Sequence, residues 1–236
     1  MKSHGIWQGL FQGLIGVGWV IGVTQAYAAD EFNFNWLDPE KKIYVLQNRK
    51  YLKANRPQLS VMAGPGISNA YRNTYEISGA FSYYLSEMFG VEVFYSTLNN
   101  RENNTFEHLK QAAPNTLPVV REIRSQLGLV AHYVPWYAKI NVFNKVLYFD
   151  WYFSGGMGSI NTALDTRTSA SSSPSYSKQD FLALFLGTGH QYHLNQNWIV
   201  RFDFTGSIYQ APRFGDSGEN TWFSNYLFGF GLGYRI

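Results

Sequence analysis

Apolar and polar side chains alternate with period two in eight separate stretches of the chain, the pattern of strands whose faces meet unlike surroundings. The clearest is "TYEISGAFSYYL", with Tyr75, Ile77, Phe81, Tyr83 and Leu85 on one face and Glu76, Ser78, Ala80 and Ser82 on the other. Similar runs span 58–66, 89–98, 126–134, 146–158, 181–192 and 198–209. The last is "NYLFGFGLGYRI", where Tyr226, Phe228, Phe230, Leu232, Tyr234 and Ile236 alternate with Leu227, Gly229, Gly231, Gly233 and Arg235. The links between these runs alternate in length. Those joining strands two to three, four to five and six to seven are short, the middle one slightly longer. Those joining three to four, five to six and seven to eight are long and polar, and "TFEHLKQAA" in the first of them predicts a short helix.

Short turns at one end and long loops at the other predict an all-β, eight-stranded antiparallel up-and-down transmembrane β-barrel with a short periplasmic N-terminal segment. Tyr83, Tyr84, Phe89, Trp136, Tyr137, Tyr192, Trp198 and Tyr234 lie beside the short turns and are expected to form the periplasmic aromatic girdle. A soluble β-sandwich also alternates, but its apolar faces would form the core. The barrel is favoured because the apolar faces are aromatic at their ends and aliphatic in their middles. Each run is also close to the roughly 9 to 11 residues that cross a bilayer.

Composition agrees. Aromatic residues make up 18% of the 236-residue chain and charged residues 15%, against about 25% charged in ordinary domains. Cysteine is absent, which excludes disulfides and thiol chemistry. A net charge of +3 with scattered Lys and Arg excludes nucleic acid as a partner. Residues 1–28 read as a signal peptide, with Lys2 before the apolar run "LIGVGWVIGV" and an Ala26-Tyr27-Ala28 cleavage pattern. The expected divisions are 1–28 leader, 29–57 periplasmic segment and 58–236 barrel. The middle segment is expected to cap the periplasmic mouth or contact a neighbour.

Glu76, Glu92, Asp150, Arg201 and Asp203 fall on the inward face, with His132 nearby. Eight strands enclose a lumen just wide enough to be filled by side chains, and a lone buried ion costs several kcal/mol. A structural ion-pair network around Arg201 is therefore expected; the alternative is a narrow polar pathway or ligand site. Bulky residues such as Phe94, Tyr148, Tyr152 and Arg201 are expected to fill the room beside Gly229, Gly231 and Gly233. The sixth run is apolar on both faces, with Phe181, Ala183 and Phe185 opposite Leu182, Leu184 and Leu186. It predicts either an apolar patch in the lumen or an inner face on a plug or lipid and an outer face on a neighbouring subunit. His190 and His193 lie three apart in a strand, on opposite faces, which spoils them as a metal pair. No Ser-His-carboxylate spacing stands out, so neither catalysis nor a metal or cofactor is expected.

The stretches "KKIYVLQNRKYLKANRPQLSVMAG" and "VPWYAKINVFNKVLYFDWYFSGGMG" and the closing strand resemble the outer membrane beta-barrel domain proteins of myxobacteria and predatory bacteria. More widely, the architecture is similar to the small OmpA and OmpW barrels. The resemblance implies a porin-like protein of the cell outer membrane that meets membrane lipid. It also implies a homo-oligomer, such as a pentameric ring of small barrels that traps lipid. Phe230, Leu232, Tyr234 and Ile236 would be the signal read by the outer-membrane assembly machinery. The remaining readings are a narrow passive channel and, third, an enzyme acting on envelope lipid.

Overall fold

The computed structural model describes residues 49–213 and 219–236, so the leader and most of the 29–57 segment lie outside the described residues. The unit Arg49–Ile236 is built from β1 (Pro57–Gly66), β2 (Arg72–Tyr84), β3 (Phe89–Glu102), α1 (Asn104–Ala112), β4 (Val120–Val142), β5 (Lys145–Asp165), β6 (Tyr176–His193), β7 (Trp198–Pro212) and β8 (Asn220–Arg235). Each strand pairs antiparallel with the next, and β1 pairs with β8 to close the ring. Closure removes every sheet edge, as a spanning sheet in lipid requires.

The direction of burial decides between barrel and sandwich. Ser60, Ser78, Ser82, Glu92 and Gln126 are buried, while Leu59, Val61, Ile77, Phe81, Leu127 and Leu129 face outward and exposed. A sandwich would invert this. In water such an apolar surface would aggregate; in a bilayer it meets its proper solvent.

The strands are longer than the alternation alone predicts. β4 and β5 continue past the turn end of the barrel as a hairpin that closes at Phe143 and Asn144, whose φ angles of 46° and 63° make a two-residue left-handed turn. The four-to-five link is therefore the shortest, not the longest, of the three turns. Pro135 hides this in the sequence because it looks like a strand terminator. It sits instead in a bulge, where the register passes from Tyr133↔Phe153 to Trp136↔Trp151 and the missing N–H costs no ladder bond. Two girdle residues are also corrected. Tyr84 is buried inward, its hydroxyl accepting from Gln191, and Tyr137 packs beside Tyr148 and His193 on the hairpin.

The predicted helix is α1. The Asn103 side chain caps it by accepting from the Phe106 N–H, and it carries Phe106, fully buried, over the loop end of the barrel.

The glycine face of β8 has a different cause from the one expected. A Cβ on Gly231 would enter the van der Waals shell of the Val61 carbonyl oxygen, and one on Gly233 would meet Ile199 and Ser60. The close approach is by the β1 backbone and the side chains of Met62, Ser60 and Ile199, not by Phe94, Tyr148, Tyr152 or Arg201. Gly229 differs, since its nearest neighbours, Asp203 and Met62, stand at 3.6–3.8 Å.

Candidate functional site: the lumen and its two mouths

Alternation turns every second side chain inward, and the polar ones collect in layers. In the middle layer Arg201 of β7 is fully buried. Its Nη1 donates to Glu92 Oε2 of β3 at 2.6 Å and to Ser60 Oγ of β1 at 3.3 Å. Its Nη2 donates to Asp203 Oδ2 at 2.7 Å, to the Tyr152 hydroxyl of β5 at 2.9 Å and to Glu92 Oε1 at 3.3 Å. Tyr152 in turn donates to Asp203 and Ser82 to Glu92. His132 Nε2 lies 3.6 Å from Glu92. One guanidinium thus spans the ring from β7 to the opposite β3.

Asp150 and Glu76 stand apart from this cluster. Asp150 belongs to the periplasmic mouth, where its Oδ2 accepts from Lys53 Nζ at 2.7 Å and lies 3.1 Å from His193 Nε2. Lys53 comes from the strap 49–56 that precedes β1, yet it is only 1% exposed. Burial pushes its ammonium pKa down, against the opposing pull of Asp150. Glu87 in the β2–β3 turn accepts from the backbone N–H groups of Lys53 and Ala54. Asn55 N–H donates to the Tyr84 carbonyl, and Arg56 donates to the carbonyls of Ile236 and Gln196. Tyr51 stacks on His193. The strap is therefore fastened across the mouth at several points of the rim. Glu76 forms no ion pair among the described residues. It lines a void of about 40 Å³ with Gln126, His132, Arg201 and Asp203.

Towards the loops the lumen turns apolar. Phe185 and Ala183 pack inward with Leu98, Val130, Ile160 and Leu227, and Phe94 stands edge-on to Phe185 at 5.1 Å. Phe181 joins the same cluster and stacks on Tyr209. Phe181 and Phe185 thus contact the barrel's own side chains, whereas Leu182, Leu184 and Leu186 face outward. Beyond this layer lies a second ionic cluster that the sequence reading missed. Arg72 pairs with Glu122 and Asp165, Arg167 with Asp165 and Glu102, and Lys110 of α1 with Glu102. Phe106 sits under the Arg72 guanidinium at 4.5 Å. Parity gave a signal for Arg72, which shares its face with Glu76; a bulge at Arg124 scrambles it for Glu122.

The His193–Asp150 pair at the periplasmic mouth is held in a structural arrangement. His193 and Asp150 would supply a base and its orienting acid, but Lys53 shares the same Asp150 oxygen and Tyr51 covers the ring. No hydroxyl is hydrogen-bonded to either ring nitrogen of His193 among the described residues.

An outward apolar belt, a closed antiparallel ring and a polar lumen define an integral barrel of the cell outer membrane. The chain belongs to the outer membrane protein beta-barrel domain family, whose model matches residues 20–235. Comparison with the curated proteins gives no match. Among solved structures it is similar to the N-terminal barrel domain of Pseudomonas aeruginosa OprF, at 13% identity over 78% of this chain and 98% of that one, TM-score 0.48. Neisserial surface protein A is similar at 12% identity over 78% and 98%, TM-score 0.48. Ail of Yersinia pestis is similar at 11% identity over 78% and 99%, TM-score 0.44. The narrower likeness to barrels of myxobacteria and predatory bacteria is not carried by these matches.

Proposed function

We propose that this protein is a closed, envelope-structural barrel and not a passive pore. The observation that carries the reading is the Arg201 cluster. Its side chains from β1, β3, β5 and β7 meet across the lumen and interrupt any continuous water path. The Lys53 strap at one mouth and Phe106 of α1 at the other support the same reading. The outer face meets membrane lipid. A ring of copies, the form the resemblance implies, would use the outward ridge of Leu182, Leu184 and Leu186. Apolar area alone does not drive association in lipid, so cross-linking in native membranes is the test of that ridge, and recovery of monomers alone would remove it. Phe230, Leu232, Tyr234 and Ile236, outward on β8, are the strand offered to the assembly machinery.

Planar-bilayer recording tests the closed state. The purified full chain is expected to give no sustained current. Steady ohmic current from the unaltered protein would overturn the proposal in favour of a narrow channel.

A further inference from the structure

The charges of the polar lumen do not balance. Between the strap and the apolar layer, Lys53, Arg201 and Arg235 bring three positive charges, and Glu76, Glu92, Asp150 and Asp203 bring four negative ones. Glu92 and Asp203 share Arg201, and Asp150 holds Lys53. Arg235 is turned to Gln58 at the periplasmic end. Glu92 and Asp203 thus have one cation between them, and Glu76 has no ion-pair partner among the described residues. His193 faces Asp150, which already holds Lys53, and His132 lines the Glu76 void but stands 3.6 Å from Glu92, a member of the pair that has only Arg201 between its two carboxylates. An uncompensated charge at this depth costs several kcal/mol.

A second observation sits beside the first. Gln126 is 1% exposed, it lines the same void as Glu76, and both its amide oxygen and its amide nitrogen lack a partner. The register aligns Ser78 with Ser96 and Ser96 with Gln126, so hydroxyl oxygens run from the Glu76 strand to the amide. The Ser96 hydroxyl is likewise buried and lies beside the Glu76 carboxylate. On the β1–β8 side Gly229, which pairs with Asp203, lines the void without a side chain, between Met62 and Leu227. The void of about 40 Å³ that results holds roughly three water-sized bodies. Waters alone would satisfy the amide but not the charge.

We propose that this void is a binding site for one hard monovalent cation of the sodium or potassium class. Glu76 supplies the charge and one or two oxygens. The Gln126 carbonyl and the Ser78 hydroxyl supply neutral oxygens, and water completes the shell, the all-oxygen environment such ions take. The Gln126 amide N–H₂ is then free to donate to that water.

Thermal unfolding of the purified full chain in detergent is the test, in sodium, potassium or choline chloride at equal ionic strength. Choline is too large for the void. The expected result is a melting midpoint that rises with sodium or potassium and not with choline. Beyond the dissociation constant, each tenfold increase in the ion should multiply the folded-to-unfolded ratio about tenfold. Glu76→Gln should abolish the ion-specific rise, and Gln126→Leu, a milder probe if the first variant folds poorly, should weaken it. Crystals soaked in thallium(I) should show anomalous density between Glu76 and Gln126. Equal melting in all three salts with no thallium peak would mean that Glu76 carries a proton, and would overturn the proposal. An ion-specific rise that survives in Glu76→Gln would overturn it too.

Discussion

Replacing Arg201 by Met measures how the middle layer is held together. The side chain is fully buried and makes five hydrogen bonds, three of them to carboxylate oxygens. Each charge-assisted bond contributes roughly 1.5–3 kcal/mol, yet desolvating the guanidinium and two carboxylates offsets most of that sum. The intact cluster is therefore worth little over an apolar filling. Met fills similar length but leaves Glu92 and Asp203 as adjacent buried anions without a cation. Breaking a buried pair in this way costs about 3–5 kcal/mol, and two orphaned carboxylates place this case at the upper end. The assay is equilibrium unfolding in guanidinium from detergent micelles, followed by tryptophan fluorescence, with heat-modifiable gel migration as an independent readout. The triple variant Arg201→Met, Glu92→Gln, Asp203→Asn removes the orphaned charges and should regain most of the loss. If the single variant is as stable as the unaltered protein, the cluster does not govern the lumen. If the triple variant is no better than the single one, the loss comes from packing and not from stranded charge.

Three further outcomes follow from the same geometry. Gly231→Val should prevent closure of the β1–β8 seam, because its Cβ meets the Val61 carbonyl, whereas Gly229→Ala should fold; the appearance or loss of the heat-modifiable band separates them. Lys53→Met should release the strap by about 3 kcal/mol, since Asp150 is left buried with His193 alone, and proteinase K should then cut within 49–56, where the unaltered protein resists. Glu102, at the loop end of β3 beyond the lipid belt, is raised by burial, but hydrogen bonds from Lys110 and Arg167 outweigh this and hold its carboxyl below the ordinary value. A depressed folded pKa means stability that is present above the unfolded value of about 4.3 and lost as pH falls through the folded one. Amide exchange in 103–119 should therefore lose protection in acid relative to pH 7, after correction for intrinsic rates.

The barrel was legible in the sequence because lipid makes the outer face strict. Each of Val91, Val93 and Tyr95 must be apolar whatever lies opposite, so the period of two survives over eight strands and fixes inside from outside. Length was less legible. Past the lipid belt the outer face meets water, and the rule that disciplines Leu127 and Leu129 no longer acts on Trp136 to Val142. Pro135 then reads as an end when it is a bulge.

The lumen was legible only as a set of inward residues, because alternation assigns a face and not a partner. Glu92 and Asp203 could be grouped with Arg201 since all three lie on that face. Asp150 shares the parity but not the depth: it stands at Tyr137 on the periplasmic hairpin, and its cation comes from outside the barrel pattern. Arg235 was visible on the glycine face of β8, yet nothing in the period shows that it meets Gln58 and no carboxylate. Strand six shows the converse. Its inner face, Phe181, Ala183 and Phe185, departs from the polar lining of the other strands and marks the apolar layer that separates the two ionic clusters. That layer also keeps the guanidinium groups of Arg72 and Arg167, which pair with Glu122, Asp165 and Glu102, away from Glu76. Glu76 must therefore be neutralised where it stands, by an ion or a proton that enters the lumen.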